Sequence, residues 1–181
     1  TKGAGLTHHG GGAAPLLANR PYVVTVHDLR YRTYPQYFTP PKRRYLSAVL
    51  PRSVSRAACV AVPTEYVRHS VHDAFGVPHD RIVVVPHGFA APDPGDITPE
   101  TELRVRYALG DGPVLVYPAI THPHKNHRFL LRAMSLVWRD PDLRLVLIGG
   151  EGTAESEVHT TGDTRVRRLG RVSEADRNGL L

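Results

Sequence analysis

The eight residues ITHPHKNH, at 120–127, gather three histidines, a lysine and an asparagine around one proline. Two chemistries suit such a set: a metal ion held by imidazoles, or an anion held by Lys125 and its neighbours. Zinc would need three or four ligands converging at about 2.0–2.1 Å. His122 and His124 are separated only by Pro123, whose extended preference should turn their rings away from a common centre, and no cysteine lies nearby. No metal is expected here. An anion fits better, because the stretch joins an apolar run, PVLVY (113–117), to an amphipathic one, RFLLRAMSLVWRD (128–140). Ligands of open α/β sheets bind at the carboxyl ends of strands, and a helix N-terminus turns free N–H groups and a positive dipole end toward phosphate. Lys125 adds a full charge at that junction, and Asn126 can cap the helix while donating to an oxygen. No G-x-x-x-x-G-K is present, so this is not a Walker loop.

Other polar residues follow apolar runs in the same way. His27–Asp28 comes directly after YVVTV (22–26), and His87–Gly88 after IVVV (82–85). His27 reads equally well as a ligand-edge histidine or as one pinned by its own loop. A His–Asp pair can begin a dinuclear metal site, but the further histidines and aspartates of that helical frame are missing. Thr64–Glu65 starts a helix, with the acid favourable to its dipole. Gly149–Gly150 after LVLI allows either a tight turn or close approach of a ligand. The stretch TKGAGLTHHGGGAAP (1–15) has no period and is expected to be loop.

The elements that must hold these residues alternate. Strands are predicted at 22–26, 58–62, 82–85, 113–117, 143–150 and 166–170. Helices are predicted at 42–57, 64–75, about 99–109 and 128–140, with another starting after Ser173. Pro51 should kink or split the first helix, Thr64 should cap the second and Gly76 should end it. Phe129, Leu130, Ala133, Met134, Val137 and Trp138 form one apolar stripe on the fourth. Strand and helix in alternation make an α/β protein with parallel Rossmann-like sheets. The proline- and acid-rich APDPGDITPE (91–100) marks a boundary, dividing the chain into 1–92 and 93–181.

Composition narrows the function. The 181 residues are 41% hydrophobic and 22% charged, enough for a sizeable core. The net charge of +6 comes almost wholly from arginine, since only Lys2, Lys42 and Lys125 are lysines. That balance favours acidic partners. The arginines are scattered, however, so no nucleic-acid partner is expected. Cys59 stands alone in an apolar run, which excludes a disulfide framework and fits a reducing compartment. No apolar run approaches the roughly 18 residues of a membrane span, and no signal peptide is evident. A cytoplasmic protein, or an excerpt of one, is the expectation.

Singly these features are unspecific; in order, they are not. YVVTVHDL, AVPTEYVRHSVHDAFGVPHDRIVVVPHGF, PVLVYPAITHPHKNHRFLLRAM, LRLVLIGGEG and VRRLGRVSEADRNGLL resemble, in sequence and succession, glycosyltransferase family 4. The family consists of retaining, two-Rossmann-domain (GT-B) enzymes that use nucleotide-activated sugars. The resemblance implies that residues 1–92 are the later part of an acceptor-side domain and 93–181 the earlier part of a donor domain. It implies that His27 contacts the transferred sugar near the reaction centre, with Asp28 beside it. Thr64 and Glu65 would open a helix facing the same cleft, and His87–Gly88 would stand where the family has Asn-Gly. Lys125 would hold the donor diphosphate, with Thr121, His124 and Asn126 around it and Gly149–Gly150 ending the neighbouring strand. No cofactor and no metal are implied, the nucleotide-sugar being a substrate. The acceptor would be a glycan, a lipid-linked molecule or a small molecule, with peripheral association at the inner face of a membrane left open.

Two departures stand out. Relatives often carry an arginine shortly before the lysine, where this sequence has Ala119, Ile120 and Thr121. The family's E-x7-E segment is expected beyond residue 181, and the first domain's opening strand before Thr1. The alternative is a non-catalytic nucleotide- or glycan-binding module of the same fold.

Overall fold

The computed structural model describes residues 5–15, 17–18, 21–159 and 162–181. The chain divides into two compact units, Thr1–Phe89 and Ala90–Leu181.

The first unit is built on four parallel strands in the order β1-β2-β3-β4: β1 (Thr7–His9), β2 (Tyr22–Thr25), β3 (Cys59–Val62) and β4 (Ile82–Val84). β1 falls within the stretch expected to be loop. Its polar THH has no alternation to betray it, and it exists because the edge of β2 offers backbone partners: Thr7 pairs in register with Tyr22 and its N–H donates to the Pro21 carbonyl. Residues 1–4 of that stretch lie outside the described residues. β2, β3 and β4 are rich in valine, which packs well on a pleated surface. Val24, Val60 and Val62 are buried in a core shared with Val54 and Val71 from two helices, each such side chain stabilising the fold by about 1.5–3 kcal/mol.

Helix α1 (Arg30–Thr33) and helix α2 (Pro40–Arg56) connect β2 to β3, and α3 (Glu65–Phe75) connects β3 to β4. α2 continues through Pro51 as a single helix and is not split in two. Its buried residues are Leu50, Ser53 and Val54, while Tyr45 is exposed. Within the helix Ser53 Oγ donates to the Val49 carbonyl at 2.9 Å, and it ties α2 to the rest of the unit by accepting from the Ala14 N–H at 3.0 Å. α3 starts and stops as expected. Thr64 accepts from the Val67 N–H, and Gly76, at φ 66°, closes it with a hydrogen bond to the His72 carbonyl. Cys59 opens β3 half-buried.

The second unit carries three parallel strands ordered β5-β6-β7: β5 (Val114–Pro118), β6 (Arg144–Ile148) and β7 (Val166–Gly170). α4 (Glu100–Arg106) leads in, α5 (His127–Leu136) and α6 (Glu155–His159) connect the strands, and α7 (Glu174–Leu180) follows β7. α5 is shorter than the predicted 128–140, and its apolar stripe is shifted. Met134 is buried with Leu130, Leu131 and Trp138 against β6, whereas Phe129 and Val137 are 63% and 69% exposed. Arg165 ends α5 from outside, donating to the carbonyls of Met134, Trp138 and Asp140. Ser173 caps α7 as expected, accepting from the Asp176 N–H.

Candidate functional site

In each unit the expected site residues fall on one side, the carboxyl edge of its parallel sheet. In the first unit Gly10 follows β1, His27–Asp28 follows β2, Thr64–Glu65 follows β3 and His87–Gly88 lies beyond β4. The structure brings three of these together directly. His27 Nε2 donates to the Gly10 carbonyl at 2.9 Å, and the His27 and His87 rings stack with centroids 5.5 Å apart. The carbonyl can only accept, so Nε2 carries the ring proton and Nδ1 is left as an acceptor. His27 is thus pinned by the glycine loop after β1, not by its own loop, and its ring is exposed.

Asp28 is engaged locally. Its carboxylate accepts from the Arg30 backbone N–H at 3.0 Å and pairs with Arg30 Nε at 2.8 Å. Thr64 uses its hydroxyl oxygen as the helix cap, while Glu65 points outward and pairs with Arg68 on the next turn. Gly88 is exposed with open space around it, so no neighbouring atom demands glycine there.

In the second unit the loop after β5 forms a short 3-10 turn, Pro123–Lys125, and then enters α5. The turn is tied down by its backbone: the Tyr117 hydroxyl donates to the Lys125 carbonyl at 2.7 Å, and the Lys125 N–H donates to the His122 carbonyl at 2.9 Å. The Lys125 side chain is exposed and makes no hydrogen bond or ion pair among the described residues. Asn126 stands at the N-cap position but does not cap with its side chain. It takes the left-handed conformation at φ 54°, which asparagine tolerates better than most residues. Its amide is free to face a ligand. His122 and His124 stack at 5.7 Å instead of diverging, because the chain turns at Pro123 where an extended path was expected. Among the described residues no group of three histidine, cysteine, aspartate or glutamate side chains can hold a metal ion.

Thr121 has a structural place. It is 0% exposed, its hydroxyl donates to Glu155 and accepts from the Gly152 N–H at 2.7 Å, and its carbonyl accepts from the Ala154 N–H at 2.8 Å. Arg168 on β7 completes the knot, donating to both Glu155 oxygens at 2.9 and 3.2 Å and to the Gly149 carbonyl at 3.0 Å. These hydrogen bonds, the one from Arg168 foremost, hold the Glu155 carboxyl below its usual value. Gly149 lies at φ 127°, and a Cβ there would come within 2.6 Å of the Ala119 carbonyl oxygen. It is therefore the packing of two strand-end loops that requires glycine. Beneath the turn, His127 is 3% exposed, its ring edge-on to Tyr117 at 5.1 Å, with neither ring nitrogen hydrogen-bonded. Burial, and then Arg168, push its pKa down.

Glu155 and Arg168 were not singled out by the sequence. Their signal is faint: an arginine pair inside an otherwise apolar strand, and an acid after a glycine-rich turn. Asp140-Pro141-Asp142 has D-x-D spacing, but it precedes β6 and so lies at the opposite edge of the sheet, where the Asp140 carboxylate accepts from the Asp142 N–H.

Residues 4–91 match the model of Glycosyltransferase Family 4. The O-antigen chain mannosyltransferase B of Escherichia coli is 26% identical over 165 residues, which are 85% of this chain and 42% of that protein. The Anabaena protein HepE, solved with UDP-glucose, superposes with a TM-score of 0.66 at 22% identity, covering 86% of this chain and 43% of its own. A glycosyltransferase from Rickettsia africae superposes at 0.63 with 15% identity over 97% of this chain and 49% of its own. The chain thus spans less than half the length of the relatives it matches.

Proposed function

We propose, from the match of residues 4–91 to glycosyltransferase family 4, that the chain is part of an enzyme moving a sugar from a nucleotide-sugar to an acceptor with retention. The donor is assigned to the second unit and the acceptor to the first. The mannosyltransferase relative supports transfer of a hexose onto a growing glycan, and the UDP-glucose held by HepE supports a nucleotide-sugar donor.

The observation that carries the reading is Lys125: an exposed ammonium with no partner among the described residues, on a turn between the carboxyl end of β5 and the N-terminus of α5. When the bond from sugar to diphosphate breaks, positive charge grows on the sugar ring and negative charge on the leaving phosphate. Lys125 and the free N–H groups of α5 are placed to stabilise the phosphate charge, an effect that preorganised donors exert without reorganising. Asn126 and His124 sit on the same turn and Gly150 on the neighbouring one, while Thr121 and Gly149 hold the two turns in register. In the first unit His27, with its tautomer set by Gly10, has an exposed ring and keeps Nδ1 as an acceptor for the reacting groups. Asp28, Thr64, Glu65 and His87–Gly88 share its sheet edge. No metal enters this scheme, since protein cations and N–H groups supply the charge.

The test is Lys125→Ala in the complete protein. Donor affinity measured by calorimetry is expected to fall roughly ten- to hundredfold, as for loss of a hydrogen bond to a charged group. Unchanged affinity would count against the phosphate role of the turn.

A further inference from the structure

A diphosphate carries more negative charge than one lysine can balance, and the residues before Lys125 in its loop offer no second strong cation: Ala119, Ile120 and Thr121 precede it, and Thr121 is buried, while Arg128 beyond it lies on α5. The other strand ends of the second unit hold two arginines. Arg168 is already neutralised, its guanidinium committed to Glu155 and the Gly149 carbonyl. Arg171 is different. It follows directly on β7, is exposed, and makes no hydrogen bond or ion pair among the described residues, although the acidic Glu151 follows Gly150.

The Arg171 head group nevertheless has a definite place. It lies across the turn after β6, so that a Cβ on Gly150 would meet its Nε at 3.3 Å and its Nη2 at 3.4 Å. Gly150 is in turn hydrogen-bonded through its carbonyl to the Thr121 N–H on the loop of Lys125. Adjacent strands lie roughly 4.8 Å apart, so a side chain reaching from β7 over the β6 turn approaches the β5 loop from the far side. Lys125 and Arg171 are thereby two unneutralised cations on one sheet edge, with the Gly149–Gly150 backbone between them. A guanidinium gives phosphate a paired, planar set of donors that an ammonium cannot.

We propose that Arg171 is the second cation on the donor diphosphate, acting across Gly150 opposite Lys125. The assignment rests on the proposed donor site, and the experiment separates the two. In the complete protein, UDP, GDP, ADP and CDP are each compared with their nucleosides by calorimetry, for wild type and for Arg171→Ala, Arg171→Lys and Lys125→Ala. Because Arg171 is exposed and unpaired, its variants should melt as wild type does. The expected result is a roughly tenfold or greater loss of nucleoside diphosphate affinity in Arg171→Ala. Arg171→Lys should recover part of it, and nucleoside binding should not change. Wild-type diphosphate affinity in Arg171→Ala, with loss in Lys125→Ala, would overturn this inference and leave the donor site standing. Equal losses for diphosphate and nucleoside would also overturn it, placing Arg171 on the base or ribose. Failure of Lys125→Ala to weaken any nucleotide, or of any nucleotide to bind wild type, would remove the donor site itself.

Discussion

At the scale of single residues, Asp176 carries the strongest electrostatic signature. It is 4% exposed and accepts from the Thr98 hydroxyl at 2.7 Å, from the Tyr107 hydroxyl and from Arg106. The hydroxyl bonds from Thr98 and Tyr107, with Arg106 behind them, lower its pKa from 3.8 to about 2. A depressed carboxyl stabilises the fold fully above its ordinary pKa and loses that contribution as pH falls toward its folded value. Asp176→Asn should therefore cost roughly 2 kcal/mol in urea unfolding at neutral pH. The gap to wild type should narrow as pH falls below about 4 and close only near the folded value of about 2. A gap independent of pH would mean that packing, not charge, sets the loss. None of this was legible in the sequence, because Thr98, Arg106, Tyr107 and Asp176 meet only through the fold. Lys125 and His27 were legible, because their place after apolar runs already assigns them to a sheet edge. Thr121 was assigned to the ligand and proved to be buried; nothing local reveals that Glu155 and Gly152 will claim its hydroxyl.

At the scale of elements, the strands and the start of α3 followed from β-branched runs and from cap chemistry, both local signals. The failures were tertiary. β1 needed the edge of β2, and α5 ended early where Arg165 reached the carbonyls at its end. The contact between the turns after β5 and β6 gives a sharp expectation. Gly149→Ala sets a Cβ within 2.6 Å of the Ala119 carbonyl oxygen and forces an unfavourable φ. A loss of about 1–3 kcal/mol, the usual range for overpacking, should appear as a lowered melting temperature of the complete protein. Nucleotide affinity should fall with it, because the Lys125 loop must shift to make room. Unaltered melting and binding would show that the two turns separate easily.

At the scale of the whole molecule, charge is distributed unevenly. Eleven of the 23 basic residues but only four of the 17 acids fall in Thr1–Phe89, a net charge of +7, which leaves −1 for Ala90–Leu181. Between Asp28 and Glu65 there is no acid at all, and seven lysines and arginines. Such a surface should meet anionic lipid or a phosphate-bearing acceptor. The complete protein is expected to sediment with phosphatidylglycerol vesicles at low salt and to be released as ionic strength rises through a few tenths molar, where screening shortens to a few ångströms. Sedimentation with neutral phosphatidylcholine alone would overturn the electrostatic account. The paired turns after β5 and β6 have a further consequence for anyone rebuilding this protein. Thr121 bonds the β5 turn to Gly152, Ala154 and Glu155, so residues 119–126 and 149–155 form one transplantable cassette. A chimera that imports only one of the two turns inherits a buried hydroxyl or a carboxylate without its mate, and should be repaired by importing the other.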